Sequence, residues 1–177
     1  MQIVQPVIGD INKIYELLET TIHDIFHREG ILETHLDDLI NEINGKKEII
    51  KDFFRDNKHE YYYRIARIED DIVGTIACGQ ANDVIKKHLK LDYKITPEIK
   101  SVYVVPKYQR KGIGRMLFEN IIRLLKDMGI LEFCLDCGFT KSQNAWRHII
   151  GEPTIVLYDH YGKYAHHMIW HRRVSEF

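Results

Sequence analysis

The chain has 177 residues, 45% of them hydrophobic and 29% charged, with a formal net charge of −1, which suits a single domain over residues 1–177 with a packed core. That balance offers no electrostatic footprint for nucleic acid or an anionic membrane, and no apolar run approaches the roughly 18–20 residues that span a bilayer. Three cysteines, an odd number, argue against a disulfide framework and suit a reducing cytoplasm, and the opening Met-Gln-Ile-Val-Gln-Pro has no basic or apolar leader pattern, so no secretion is expected.

Residues 3–7 read as a first strand. Asp10 is a candidate N-cap for a helix whose apolar positions are Ile11, Ile14, Leu18, Ile22 and Ile25, with Gly30 as its stop. Thr34 and Asp37 have capping-box spacing before Leu36, Leu39, Ile40 and Ile43. Gly45 is expected to end that second helix, with a further turn or two over residues 46–55. Residues 61–68 and 72–78 form a hairpin around Glu69-Asp70-Asp71. Residues 80–97 hold either a short helix or an inserted loop.

Residues 98–129 organise the chain. A β-branched and aromatic strand runs to Pro106, which lacks an N–H and ends the ladder. Gln109 to Gly114 form a turn in which Gly112 and Gly114, without Cβ atoms, let backbone amides approach a ligand. Ile113, Leu117, Ile121, Leu124 and Met128 then recur at steps of 4, 4, 3 and 4, one helical face, and Gly129 stands where a C-terminal cap belongs. A helix N-terminus behind free amides favours an anion. It is not a P-loop, because Arg115-Met116 follows the glycines in place of Lys-Ser/Thr. A dinucleotide fingerprint would need a small residue where Leu117 stands. The chain closes with a strand over 130–135, a helix over 142–150 with Ser142 as its cap, and two strands over 154–158 and 164–172. The order β-α-α-β-β-(insert)-β-α-β-α-β-β is an α/β fold with a mixed sheet.

Gln109-x-x-Gly112-x-Gly114, after Val102-Tyr103-Val104 and Pro106, resembles the acetyl-CoA signature of the GNAT (GCN5-related N-acetyltransferase) superfamily. The resemblance is strongest over 98–138, moderate over 142–151 and topological before residue 60. It implies a central, splayed, mixed β-sheet of about seven strands flanked by helices. It also implies a pantetheine arm on the backbone of Val102, Tyr103 and Val104. The pyrophosphate would rest on Arg110, Lys111, Gly112, Ile113, Gly114 and Arg115, with a further cofactor contact from Asn144, for which helix capping is the alternative role. The implied reaction is direct attack of an amine, on a small molecule or a protein, upon acetyl-CoA in a ternary complex, without a metal or redox cofactor. Glu98 is the implied base, and the Val104 N–H a donor to the oxyanion.

The family's usual tyrosine acid would stand seven residues after Asn144, at Gly151. That departure leaves Tyr158, Tyr161 and Tyr164 as substitutes, with Tyr158 the candidate acid, or an unassisted thiolate. It also keeps open a non-catalytic acyl-CoA-binding module, and more distantly a nucleotide-binding protein. Asp24, Asp37, Asp38 and Glu42 would suit a cationic acceptor, whereas Lys86, Lys87 and Lys90 would suit an anionic one. The closing strands are candidates for a homodimer interface. Cys134 and Cys137 form a single C-x-x-C, too little for zinc, and His160, His166, His167 and His171 read as sheet residues.

Overall fold

The computed structural model describes residues 1–55 and 61–177. Its elements are β1 (Gln2–Val4), α1 (Ile11–Glu29), α2 (Leu36–Arg55), β2 (Tyr62–Ile68), β3 (Asp71–Gly79), α3 (Asp83–His88), β4 (Glu98–Val104), α4 (Ile113–Asp127), β5 (Glu132–Cys137), α5 (Thr140–Ile150), β6 (Ile155–Leu157) and β7 (His167–Arg173). Backbone hydrogen bonds order the seven strands β1-β2-β3-β4-β5-β7-β6. The chain clusters into two compact units, Met1–Gly79 with Ser101–Ile121, and Gln80–Lys100 with Ile122–Phe177.

In the first unit the β2–β3 hairpin is antiparallel, Tyr63 facing Ala77 and Ile65 facing Thr75, with a bulge between Ala66 and Arg67. Helix α1 buries Ile14, Leu17, Leu18, Ile22 and Phe26 and closes on Gly30 at φ +72°. Asp10 precedes α1 as expected, but its side chain makes no cap bond to the helix. Its carboxylate instead accepts from the Val7 amide (3.0 Å) and from Arg67 (2.7 Å). Burial opposes the charge, but Arg67 and the amide outweigh it and hold the Asp10 pKa below the ordinary range. The capping box at Thr34 does not form, because its hydroxyl bonds the Ile31 carbonyl and the His35 ring. Nor does Gly45 end α2. An interior glycine costs about 1 kcal/mol against alanine, which burial of Ile50 and the Phe53 contact with the Tyr63 ring offset.

Strand β4 belongs to the first unit from Ser101 onward. Val105 donates to Val73 (3.0 Å), and the Thr75 hydroxyl donates to the Ser101 carbonyl (3.0 Å). Ser101 itself has φ +54°, a left-handed residue inside a strand. The α4 face is rotated from the one predicted. Phe118, Ile122 and Leu125 are buried with Ile113, Leu117 and Ile121, whereas Met128 lies beyond the helix and is 41% exposed. Gly129 provides the cap, at φ +69°.

In the second unit β4 pairs in parallel with β5 at Glu98↔Cys134, and β7 runs antiparallel to both β5 and β6. The 80–97 segment is part of this core rather than a surface loop: Ala81, Ile85 and Leu89 pack with Cys134 and Ile169. Helix α5 starts at Thr140 with Phe139 as its N-cap, which puts Ser142 inside it.

Gly74 is closely packed. A Cβ there would lie 3.0 Å from the Leu117 Cδ1, 3.2 Å from the Tyr103 carbonyl oxygen and 3.3 Å from the Ile113 Cγ2. Gly74→Val is therefore expected to lose about 1–3 kcal/mol of stability through overpacking. Urea unfolding measures this, and an unshifted midpoint would contradict the contact.

Candidate active site

Two constellations of candidate site residues stand out, one within each unit. The first is the turn after β4. Pro106–Tyr108 form a single 3-10 turn. Gln109 then folds back, its amide donating to the Val104 carbonyl (2.9 Å) and its oxygen accepting from Arg28 (3.0 Å), which Asp24 holds in an ion pair. Gln109 thus ties the turn to the strand end and to α1. Arg110 at φ +61° and Gly112 at φ +80° bend the backbone ahead of α4, whose first-turn amides have no partners within the helix. Gly114 lies in that first turn, where a Cβ would meet only Val104, at 3.9 Å. Ile113 is buried and anchors the helix, whereas Arg110, Lys111, Gly112 and Arg115 are exposed. Arg115 pairs with Glu119 (2.9 Å), and the Lys111 ammonium lies 5.2 Å from the centre of the Tyr108 ring. Val102 and Val104 are half-buried. The Tyr103 hydroxyl donates to Glu42 (2.7 Å), so this acidic candidate for the acceptor side is already engaged. The geometry is that of an anion-binding turn backed by a helix dipole.

The second constellation surrounds Glu98, which is 3% exposed. One carboxylate oxygen accepts from the Asn82 backbone amide (2.7 Å) and pairs with Lys100 (2.8 Å). Lys100 also donates to the Gln80 carbonyl (2.6 Å). Burial pushes the Glu98 pKa up and nearby Asp136 adds to this, while Lys100 and the Asn82 amide pull against them; the net direction is up. The Asn82 side chain bridges two carboxylates, donating to Asp136 (2.8 Å) and, at 3.4 Å, to Glu98. Its own oxygen caps α3 by accepting from Ile85 (2.9 Å).

Asp136 also meets the His167 Nε2 at 3.1 Å, and the His167 Nδ1 lies 3.0 Å from the Tyr161 hydroxyl. A continuous polar chain therefore runs Glu98–Asn82–Asp136–His167–Tyr161. Sequence reasoning missed Asn82 and Asp136. The available signals were a helix-capping Asn82-Asp83 pair and one carboxylate inside the apolar run Phe133-Cys-Leu-Asp-Cys137. His167 is not merely a sheet residue, as predicted, but a buried polar link. Tyr158 stands apart, 75% exposed, with the His166 ring edge-on at 5.1 Å. Asn144 lies exposed in the interior of α5, so it does not cap that helix; the buried neighbour Gln143 bonds the Cys137 and His166 carbonyls (3.1 and 2.8 Å). Burial pushes the Cys134 thiol up to about 12, which removes it as a nucleophile. Among the described residues no three His, Cys, Asp or Glu side chains gather in a metal-holding group.

Comparison with known proteins gives the family and the fold. Residues 15–151 match the model of the acetyltransferase (GNAT) family. A comparison with curated protein sequences finds no match. Among solved structures, a putative acetyltransferase of the GNAT family from Desulfovibrio desulfuricans superposes with a TM-score of 0.73 at 14% identity, over 98% of each chain. The PaiA N-acetyltransferase of Thermoplasma acidophilum, in complex with coenzyme A, gives 0.67 at 17% identity, over 96% of this chain and 97% of that one. YncA of Salmonella typhimurium, a putative acetyltransferase with its cofactor acetyl-CoA, gives 0.64 at 16% identity, over 98% and 94%. At these identities the likeness is one of fold.

Gly112 offers a test of the turn. Its φ of +80° disfavours any side chain, by about 1–2 kcal/mol, and Gly112→Asp would add a carboxylate beside the amides. Calorimetric affinity for coenzyme A is expected to fall at least about tenfold, or 1.4 kcal/mol. Unchanged affinity would remove the turn from the donor site.

Proposed function

The chain belongs to the acetyltransferase (GNAT) family, and from that premise we propose that it moves an acetyl group from acetyl-CoA to an amine of a small molecule or protein by direct attack. It is an acyltransferase, and Glu98 is the residue of this chain best suited to start the reaction. A free alkylamine is mostly ammonium at neutral pH and must lose a proton before it can attack a thioester. A carboxylate whose pKa is raised by burial is a stronger base than an ordinary one, yet Lys100 and Asn82 keep it supplied with hydrogen bonds. That balance is the observation that carries the proposal.

In this reading the donor's pyrophosphate lies on the amides of residues 110–115 and its pantetheine arm along Val102–Val104, with Asn144 as a further contact. The Val104 N–H stabilises the oxyanion. Direct transfer needs no enzyme nucleophile, in keeping with the buried Cys78 and Cys134. The mechanism uses no metal. Three free cysteines suit a cytoplasmic setting, and no helix among the described residues is long and apolar enough to cross a membrane. The partners are acetyl-CoA and the amine, without nucleic acid, and the closing strands are the proposed homodimer surface.

The test is release of coenzyme A thiol from acetyl-CoA with a panel of alkyl diamines, aminoglycosides and an alanine-first peptide. Turnover with one amine class supports the enzyme, whereas acetyl-CoA binding without turnover favours the ligand-binding module. Glu98→Gln is expected to lower kcat about 10²-fold or more with acetyl-CoA affinity preserved. Because the Glu98 pKa is raised, the wild-type rate should fall with decreasing pH at a point above the ordinary glutamate range, and Glu98→Gln should flatten that limb. A full rate in the variant would remove Glu98 as the base.

A further inference from the structure

We propose that the acceptor is an amine bearing an anionic group about 6–8 Å from its nitrogen, with Lys86, Lys87 and Lys90 receiving the anion and Glu98 the nitrogen. The inference rests on the acetyltransferase reading, names the acceptor class for it, and uses residues of the second unit alone.

Three observations carry it. First, the base already has a cation. The Lys100 ammonium stands 2.8 Å from the Glu98 carboxylate, with the two side chains 11% and 4% exposed, and it also donates to the Gln80 carbonyl. An acceptor ammonium that reaches Glu98 therefore meets Lys100 as a like charge. A second ammonium on the same acceptor adds to that repulsion, whereas an anionic group offsets it.

Second, α3 holds Glu98 at its start and presents ammonium groups at its end. Asn82 caps the helix, and its backbone amide donates to Glu98 (2.7 Å). Lys86 and Lys87 lie in the last turn and Lys90 just beyond it. All three are exposed, and none forms an ion pair among the described residues. A helix rises about 1.5 Å per residue, so Lys86 and Lys87, four and five positions after Asn82, stand about 6–8 Å along the axis from the amide that holds Glu98.

Third, the β6–β7 connection continues the same positive field. The His160 ring centre lies 5.4 Å from that of His167. Partial burial, and then His167, His88 and Lys87, hold the His160 pKa below its ordinary value, so the end of α3 and His160 act on one another. The carboxylates nearby are engaged: Asp136 with Asn82 and His167, Asp159 with the Tyr164 amide and His166, and Asp92 with the Lys94 amide. The acidic candidates of the first unit are no equivalent. Asp24 is paired with Arg28, and Glu42 with Tyr103 and Lys46. Asp37 and Asp38 occupy the first turn of α2, where the helix dipole favours carboxylates without any ligand.

The test uses the full chain and acceptors matched in length but not in charge. 6-Aminohexanoate and 4-aminobutylphosphonate are set against 6-aminohexanamide and 1,6-diaminohexane, and the peptide Ala-Asp-Glu against Ala-Asn-Gln and Ala-Lys-Lys. The anionic members are expected to react with a kcat/KM at least about tenfold above their neutral partners. The small-molecule and peptide arms tell a metabolite-sized acceptor from an acidic chain terminus. Lys87→Glu combined with Lys90→Glu changes two exposed side chains, so the fold is expected to survive. It should raise the KM for the preferred anionic acceptor about tenfold with kcat unchanged, the pattern of lost binding. It should leave the neutral acceptor and the KM for acetyl-CoA as they were, and improve the cationic acceptor. Added salt should raise the KM of the anionic acceptor alone. Equal kcat/KM across the three charges, or an anionic preference that survives the double reversal, overturns this inference and leaves the acetyltransferase standing. No turnover by the wild type with any amine overturns the acetyltransferase reading and this inference with it.

Discussion

The parallel register that sets Glu98 against Cys134 is the constraint on which the second unit's buried polar network depends. Side chains alternate along a strand, so fixing Cys134 beside Glu98 also fixes Asp136, two residues on, on the same face. The antiparallel register of β5 with β7 then pairs Cys137 with Met168 and brings His167 to the end of the same strand pair. A slip of one residue in either pairing would turn Asp136 or His167 to the opposite face and break the chain of hydrogen bonds. Two backbone registers therefore determine whether Glu98, Asp136 and His167 join one hydrogen-bonded network.

Burial makes that network costly. A carboxylate as buried as Glu98 is tolerated only with partners, since an unpaired buried charge costs several kcal/mol. Lys100 and Asn82 supply those partners without cancelling the shift, because burial still dominates. Asn82 is the economical element. One side chain caps α3, bridges Asp136 and Glu98, and through its backbone amide bonds Glu98 again. The segment that reads as an insert between hairpin and central strand thus supplies Asn82, which bonds Glu98.

The turn in the first unit follows a different logic. Its geometry comes from short-range backbone preferences, a proline, a left-handed Arg110 and a left-handed Gly112, stabilised by the Gln109 clasp. The side-chain charges contribute less than their number suggests, since Arg115 pairs with Glu119 and Lys111 leans on Tyr108. What remains for an anion is chiefly backbone amide and helix dipole, which recognise phosphate by geometry rather than by net charge.

By itself the sequence determined the features whose physics is local. Gly112 and Gly129 are needed where φ is positive, Pro106 ends a strand, the hairpin closes on a short polar turn, and apolar spacing announces α1 and α4. These carried the element order and the family signature. Local reasoning failed where distant burial outweighed a weak local preference: α2 runs through Gly45, and Asp10 answers Arg67 rather than its helix. The face of α4 shifted because the sheet beneath it, not the heptad-like spacing alone, selects which side chains are covered. Only the tertiary structure decided the environment of Glu98 and the line from Asp136 through His167 to Tyr161. Asn82 and Asp136 lie 54 positions apart and Asp136 and His167 31, and nothing in their local spacing encodes contact. Strand register and burial bring them together, and both are properties of the folded sheet.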